Sequence, residues 1–595
     1  MTAKAQTIVQ PSDALSVARS FSGRAWRFTD SDENAARALG LKNGIPFALA
    51  RLLLARGVAS DAVADYLNPT LKTLLPEPLT VKDMDKAVAR MQVALERGEH
   101  IAVFGDYDVD GSCSAALLHD YLSAVGTPPR IYIPDRMTEG YGPSALAMHQ
   151  LKEEGASLVV TVDCGAAAID ALAAARDAGL DVIVLDHHAV EREPPAFAHV
   201  NPNQPGDSSG QGHVCAAGVV FLFLVALNRA LRNAGAFATK PEPDLRKYLD
   251  LVGLATVCDV VPLVGVNRAF VQLGLSKLSK LERAGFAALA RVAATVPPFT
   301  PYHLGFVFGP RINAGGRVGR CSLGVDLLTT TDTLAAEEFA AALDSHNRER
   351  QAIEKLILDE AIATAASHDN LPFIFVSGEG WHPGVVGIVA GRLKERFSKP
   401  AFVAGFEGGL GRGSARSVPG IDIGSVVREA HLAGVLDAGG GHAMAAGFSL
   451  RPDQSDPFHA FLADRFSRAD SSSGVSALML EGLISPAGAT AALVHDIARA
   501  GPFGAGNPEP ILAVPDVQVV FADVVGKDHV RLRLAGGDGA RLDAIAFRSA
   551  DTDLGRGLLG ARGARIHAAG RLRAEEWNGR VRVQLHLEDA ARAGI

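Results

Sequence analysis

Apolar positions follow two rhythms along this chain. Short apolar runs at residues 101–104, 130–134, 158–162 and 182–185 alternate with Ala-rich stretches of helical spacing, and that alternation predicts a parallel, doubly wound α/β sheet. An amphipathic helix over 84–97 delivers the chain to the first strand. Residues 214–227 are apolar throughout but too few to span a bilayer, and read as a buried helix. Residues 333–367 are helix formers with no Gly or Pro, which predicts a long connecting helix, and the run at 373–376 opens a second, smaller α/β unit. After a polar linker at 468–474, short β-like runs at 517–521, 530–534, 543–547, 564–568 and 581–587 suit a small OB-like barrel. Upstream, helical periodicity over 35–58 predicts a helical lead-in packed on the main body. The expected regions are therefore 1–69, 70–332, 333–367, 368–470 and 478–595.

Composition changes this picture little. A chain of 595 residues exceeds a single core and suggests three or four domains, and 48% hydrophobic against 21% charged residues describes an ordinary soluble protein. The net charge of -8 argues only weakly against nucleic-acid binding, because local basic patches matter more than the total. Five scattered cysteines without a C-x-x-C pair indicate neither a zinc knuckle nor a disulfide framework, and fit a reducing cytoplasm. The start, M-T-A-K-A-Q-T, lacks the apolar core of a signal peptide.

The chemistry gathers where the strands end. The first strand runs into G-D-Y-D-V-D-G, with Asp106, Asp108 and Asp110 at alternate positions that would point one way on extended backbone. Such a cluster of hard oxygen donors repels itself unless a divalent cation such as Mg²⁺ or Mn²⁺ is bound. An EF-hand loop opens with the same spacing, but Leu117 stands where its bidentate Glu belongs and a strand precedes it. In doubly wound sheets ligands sit at the carboxyl ends of the strands. The strand at 158–162 duly ends in Asp163-Cys164-Gly165 and that at 182–185 in Asp186-His187-His188. Asp is also a common helix cap, yet three such ends in one sheet, one bearing two imidazoles, are hard to read as caps. Adjacent histidines on extended backbone face opposite ways, so one meets metal and the other orients a ligand or meets substrate. Asp259 interrupts an apolar, helix-like run at 251–263. Arg311-Ile312-Asn313-Ala314-Gly315-Gly316-Arg317 sets two bases and an amide around a flexible Gly pair, a shape for gripping phosphate or simply a solvated loop.

In this order G-D-Y-D-V-D-G, V-D-C-G, D-H-H, C-D-V-V-P-L and R-I-N-A-G-G-R resemble the successive motifs of the DHH phosphoesterase superfamily, in the wording of its bacterial single-strand-specific exonucleases. Further on, W-H-P-G-V-V-G-I-V-A, G-R-G-S-A-R-S and G-G-G-H-A-M-A-A-G resemble the DHHA1 module, and P-F-G-A-G-N-P-E-P continues the likeness. The resemblance implies a DHH catalytic domain over 70–332, a DHHA1 substrate-binding domain over 368–470 and an OB-like nucleic-acid-binding domain over 478–595. It implies two ions, Mn²⁺ or Mg²⁺, on Asp108, Asp110, Asp163, His187 and Asp259, with Asp163 as the bridge; Asp106 and His188 stand as ligands, orienting groups or substrate contacts. Arg311, Asn313, Arg317, Arg416, Ser417, Gly440, Gly441 and His442 would hold the substrate, from Gly-rich turns. Arg531, Arg533, Arg571, Arg573, Arg580 and Arg582 alternate along strands and could share one face, for DNA or for solvent. The expected protein is a cytoplasmic monomer that digests single-stranded DNA 5′→3′ in recombination and repair, with single-strand-binding protein and helicase as partners and no membrane. Three other readings remain: a phosphodiesterase of short oligonucleotides or cyclic dinucleotides, a manganese pyrophosphatase, and a non-catalytic DNA scaffold.

Overall fold

Short runs of Val, Ile, Leu and Phe, the central ones buried on both faces, build the first sheet. The structure, a computed structural model, describes residues 14–136, 138–190, 192–366, 371–467, 477–577 and 580–594; the expected linker at 468–474 lies outside them. Strands β1 (Ile101–Gly105), β2 (Arg130–Tyr132), β3 (Leu158–Val162), β4 (Asp181–Leu185) and β5 (Ala198–Val200) are all parallel, in the order β2-β1-β3-β4-β5. The three-residue β5 was not legible as a strand, being too short to show a period. The order reverses between β1 and β3, which places the switch point of a doubly wound sheet at the carboxyl ends of those two strands. Asp106 and Asp163 follow them directly.

Three helices meet the same edge, two of them bringing further acids. Helix α1 (Val109–Val125) leaves β1, α2 (Ala216–Asn233) is the expected buried helix, and α3 (Leu249–Cys258) ends with Asp259 as its C-cap. Asp259 thus terminates a helix, where the sequence suggested an acid within one. Helix α2 is the one described helix that is by itself long and apolar enough to cross a membrane, and 72% of it is buried inside the protein. The far ends of α1 and α3 are tied by one buried guanidinium: Arg283 donates to Asp120 at 2.9 Å, to Asp250 at 3.2 Å and to the Leu328 carbonyl at 2.6 Å.

The motif R-I-N-A-G-G-R lies within a helix, α4 (Gly309–Val318), not in a flexible loop. Its glycines serve close packing. A Cβ on Gly316 would stand 3.0 Å from the Tyr107 carbonyl oxygen, and one on Gly315 would stand 3.0 Å from that of Arg320. The connecting helix α5 (Thr333–Ala366) leads to a second sheet of β6 (Ile374–Glu379), β7 (Ala401–Glu407), β8 (Leu410–Arg416), β9 (Ala438–His442) and β10 (Ala445–Leu450), ordered β9-β10-β8-β7-β6. Only β6 and β7 run parallel. The Gly-rich segments expected as turns are strands of this sheet. Gly413 is small because the Phe448 ring lies where its Cβ would be. Helix α6 (Pro383–Phe397) packs on β7 and β8.

These domains form one compact unit, residues 77–259 and 273–472, and the remainder forms a second. In the second unit the N-terminal strand Ala25–Phe28 pairs in parallel with Ala477–Leu480, so the N-terminal segment clusters with the C-terminal part of the chain. There β11 (Leu512–Val525), β12 (His529–Ala535), β13 (Arg541–Ala546), β14 (Arg565–Trp577) and β15 (Arg580–Arg592) follow the order β11-β12-β13-β15-β14, and β11 pairs with β14 to close a five-stranded barrel. Val530, Leu532, Leu534, Leu542, Ala544, Leu572 and Leu585 fill its interior.

Candidate metal centre and adjoining cleft

The three aspartates after β1 converge by a route other than strand alternation. Asp106 ends the strand, Asp108 caps α1 by accepting from Gly111 N–H at 3.0 Å, and Asp110 sits in the helix's first turn. A tight turn folds them together, and Asn313 secures it by accepting from Val109 N–H at 3.1 Å. Asp110 is buried, and its two oxygens accept from Ala216 N–H at 2.7 Å and Ala217 N–H at 2.8 Å, the first amides of α2. Asp163 takes a left-handed backbone, φ 59°, which Asp tolerates better than most residues. Tyr141 steadies it by donating from its hydroxyl to the Asp163 carbonyl at 3.0 Å.

Two imidazoles complete the set. His187 Nε2 lies 3.4 Å from Asp163, 3.6 Å from Asp259 and 3.9 Å from Asp110. His188 Nδ1 lies 2.7 Å from Asp186 and 3.9 Å from Asp163. Asp186, counted from the sequence only as one of the strand-end acids, is fully buried and accepts from the backbone N–H groups of Ala166 at 3.0 Å, His187 at 2.7 Å and His188 at 3.2 Å. The ligand atoms fall into three mutually close groups: Asp106, Asp108 and Asp163; Asp110, His187 and Asp259; and Asp163, His187 and His188.

The electrostatics of this set call for cations. Burial, with the charge of Asp108 added, lifts Asp110 to about 7. Burial and the charges of Asp110 and Asp108 lift Asp259 to about 8. Asp106 and Asp163 stand well above the usual carboxylate range, again through burial and neighbouring aspartates. Burial and the neighbouring His188 press His187 down to about 4, which leaves it neutral at pH 7, the form a metal would need. Burial also works against charge on His188, but the bond to Asp186 outweighs it and holds that imidazole at about 9. Four buried ligand atoms, Asp106 Oδ1, Asp163 Oδ1, His187 Nε2 and Asp259 Oδ2, make no hydrogen bond among the described residues. Hard oxygens plus one imidazole, unsatisfied and mutually repelling, fit Mn²⁺ or Mg²⁺.

Beside the centre lies a cavity of about 540 Å³. Tyr107, Arg136, Tyr141 and Arg317 wall it from the first sheet's side, and Gly384, Arg412, Ser414 and Arg416 from the second's. Of the expected substrate residues, Arg317 and Arg416 line it. Burial lowers Arg317 to about 10, and it donates to the Gly384 carbonyl at 2.8 Å. Arg416 donates to Ser414 Oγ at 2.7 Å. The others do not line it. Arg311 is held by Asp344 at 2.9 Å, Asn313 braces the α1 turn, and Ser417 donates inward to the Ile421 carbonyl at 2.7 Å. Gly440, Gly441 and His442 belong to the strand β9, and Arg428 donates to the Gly441 carbonyl. Arg136 and Tyr141 were missed, since a lone Arg and a lone Tyr in a loop carry no spacing signal. On the barrel, strand register puts Arg531, Arg533, Arg571, Arg573 and Arg582 on one outward face. Arg533, Arg571 and Arg573 pair there with Asp543, Glu588 and Glu509. Phe547 packs edge-on between His529 and His586 on the same face. The side chain of Arg580 lies outside the described residues.

A switch-point cluster of carboxylates and imidazoles facing an arginine-lined second domain defines a metal-dependent phosphoesterase of the DHH class. The family models agree: the N-terminal domain of the DHH family matches residues 100–256, the DHHA1 domain 370–468 and the RecJ OB domain 480–589. The single-stranded-DNA-specific exonuclease RecJ of Bacillus subtilis is 33% identical over 95% of this chain and 70% of its own length, and that of Escherichia coli is 35% identical over 86% and 90%. The crystal structure of Thermus thermophilus RecJ with Mn²⁺ superposes with a TM-score of 0.80 at 28% identity, covering 96% of this chain and 80% of that one; the same protein is also known with Mg²⁺. The chain belongs to the RecJ family.

Proposed function

We propose that this protein is an exonuclease specific for single-stranded DNA that hydrolyses phosphodiester bonds with two divalent cations. The observation that carries this reading is the pair of ligand groups, Asp106–Asp108–Asp163 and Asp110–His187–Asp259, set beside a cavity whose opposite wall bears Arg412 and Arg416. Asp163 belongs to the first group and lies 3.4 Å from His187 of the second, which suits a bridging ligand. When bound, the ions supply a water of lowered pKa and stabilise the leaving oxygen. The protein's own part is to place the phosphodiester. Arg136, Arg317 and Arg416 bind phosphate in the cavity by charge-assisted hydrogen bonds. His188, positively charged at pH 7 and with 40% of its side chain exposed, faces the scissile phosphate. Asp110 is kept at its ligand position by the α2 amides.

The polarity is 5′→3′, the barrel's arginine and aromatic face guides the strand, and the protein works as a cytoplasmic monomer alongside a helicase and a single-strand-binding protein. The deciding experiment offers end-labelled single-stranded DNA, a dinucleotide and pyrophosphate to the enzyme with Mn²⁺. Progressive shortening of the DNA supports the assignment, and faster turnover of either small substrate refutes it. Strands blocked at the 5′ or the 3′ end report polarity, and light scattering reports the oligomeric state.

A further inference from the structure

An exposed aromatic pair of the catalytic unit lies on the helix that carries Arg317. Tyr302 and Phe306 are 63% and 71% exposed, their rings stacked with centroids 5.3 Å apart and planes 24° from parallel. They occupy a π-helical segment, His303–Phe308, and the residue just before it. The segment runs without a break into α4. π-Helical turns are rare and tend to occur at functional sites.

Three contacts fix which way this row runs. A Cβ on Gly305 would touch Val257 at 3.4 Å, and one on Gly309 would meet Cys258 Sγ, so the segment lies against the end of α3 that bears Asp259. Further along, Asn313 braces the turn holding Asp108, and Arg317 lines the cavity. Phe306 and Arg317 are 11 residues apart, about three helical turns, which returns them to the same face at a separation of roughly 16 Å. A strand whose terminal phosphate meets Arg317 would therefore pass the metal ligands and reach the aromatic pair a few nucleotides on.

We infer that Tyr302 and Phe306 form a stacking platform for bases of the uncleaved strand. The ligand class is unpaired nucleobases, in continuity with the phosphate-binding cleft. Any base has a π-face, so the platform grips without reading sequence. The inference rests on the exonuclease reading and deepens it.

The test compares wild type with the Tyr302→Ala/Phe306→Ala double variant on a dinucleotide and on oligonucleotides of increasing length, in Mn²⁺. Both residues are exposed, and a melting curve checks the fold. The expected result is a KM about tenfold higher for long strands, unchanged KM for the dinucleotide and unchanged kcat. Tyr302→Trp/Phe306→Trp should keep wild-type KM. Strands carrying abasic sites three to five nucleotides from the cleaved end should raise the wild-type KM and leave that of the Ala variant unmoved. Equal KM values for wild type and Ala variant on long strands overturn the inference and leave this face to a protein partner. Failure of the wild type to digest DNA overturns the exonuclease reading instead.

Discussion

Asp186 Oδ1 lies 2.7 Å from His188 Nδ1, and no comparable bond from the described residues reaches the His187 ring. Two adjacent imidazoles of the same cluster are thereby set to different charges at pH 7, one neutral and the other cationic, as the proposed roles in coordination and in contact with an anionic substrate require. Burial alone would neutralise both. The difference comes from one carboxylate held ionised, well below the usual range, by His188 and by backbone N–H donors.

Removing that charge should change the pH profile more than the fold. In Asp186→Asn the His188 imidazole loses the hydrogen bond and the charge that raise it most and falls toward its ordinary 6.5, burial then working against only the weaker pull of Asp259 and Asp110. At pH 8 its charged fraction would drop from about nine-tenths to about one-thirtieth. The expected outcome is a loss of kcat at pH 8 of up to about 30-fold that shrinks toward pH 6. A loss of equal size at every pH would refute a role for the charge.

Metal stoichiometry should separate the two ligand groups. Asp106→Asn is expected to leave the Asp110–His187–Asp259 group able to bind one Mn²⁺, and Asp259→Asn to spare the group of Asp106, Asp108 and Asp163. Asp163→Ala should bind neither ion tightly and abolish cleavage while remaining folded. Titration calorimetry counts the ions. Two tight sites in the Asp163 variant would end its assignment as the bridge.

Stability without metal should fall as pH rises. Asp110 and Asp259 ionise at about 7 and 8 in the folded protein against 3.8 ordinarily, so the folded chain holds protons that the unfolded chain has already released. Where the native state binds more protons, stability decreases with increasing pH. His188, raised to about 9 from 6.5, adds to the same trend above pH 6.5. His187, lowered to about 4, opposes it only below pH 6.5. Melting temperatures in EDTA should therefore drop between pH 6.5 and 8.5, and the increment given by Mn²⁺ should grow over the same interval. An increment that is flat or shrinks with pH would contradict the proposed ligand set.

The clustering of Asp106, Asp163, His187 and Asp259 was legible in the sequence because each stands at or just after an abrupt change of character, where a buried apolar strand or helix gives way to polar side chains. Geometry was less so. Alternation along a strand would have aligned Asp106, Asp108 and Asp110, whereas a strand end, a cap and a helix turn bring them together. Arg311 and Ser417 looked like phosphate ligands from their motifs, but Arg311 is engaged by Asp344, on a segment that no local spacing predicts, and Ser417 by the Ile421 carbonyl of the turn that follows it. Arg136 is the converse case, a cleft residue with no motif around it. The glycines of R-I-N-A-G-G-R misled for a related reason, because tolerance of turns and tolerance of close packing leave the same mark in a sequence.

That last ambiguity can be resolved at Gly316. If the residue were there for flexibility or solvent access, Ala should be accepted and should stabilise the helix by about 1 kcal/mol, the usual difference in propensity. The structure opposes this. An added methyl would press on the Tyr107 carbonyl oxygen at 3.0 Å and on its ring at 3.1 Å. Both neighbours lie in the turn that sets Asp106 and Asp108, so relief must come from moving those two carboxylates or tilting α4 away from Asn313's bond to Val109. Gly316→Ala is therefore expected to lower Mn²⁺ affinity and kcat by about tenfold or more, with little change in melting temperature in EDTA because the propensity gain offsets the strain. Full activity with raised stability would show that α4 and the Tyr107 turn have slack between them.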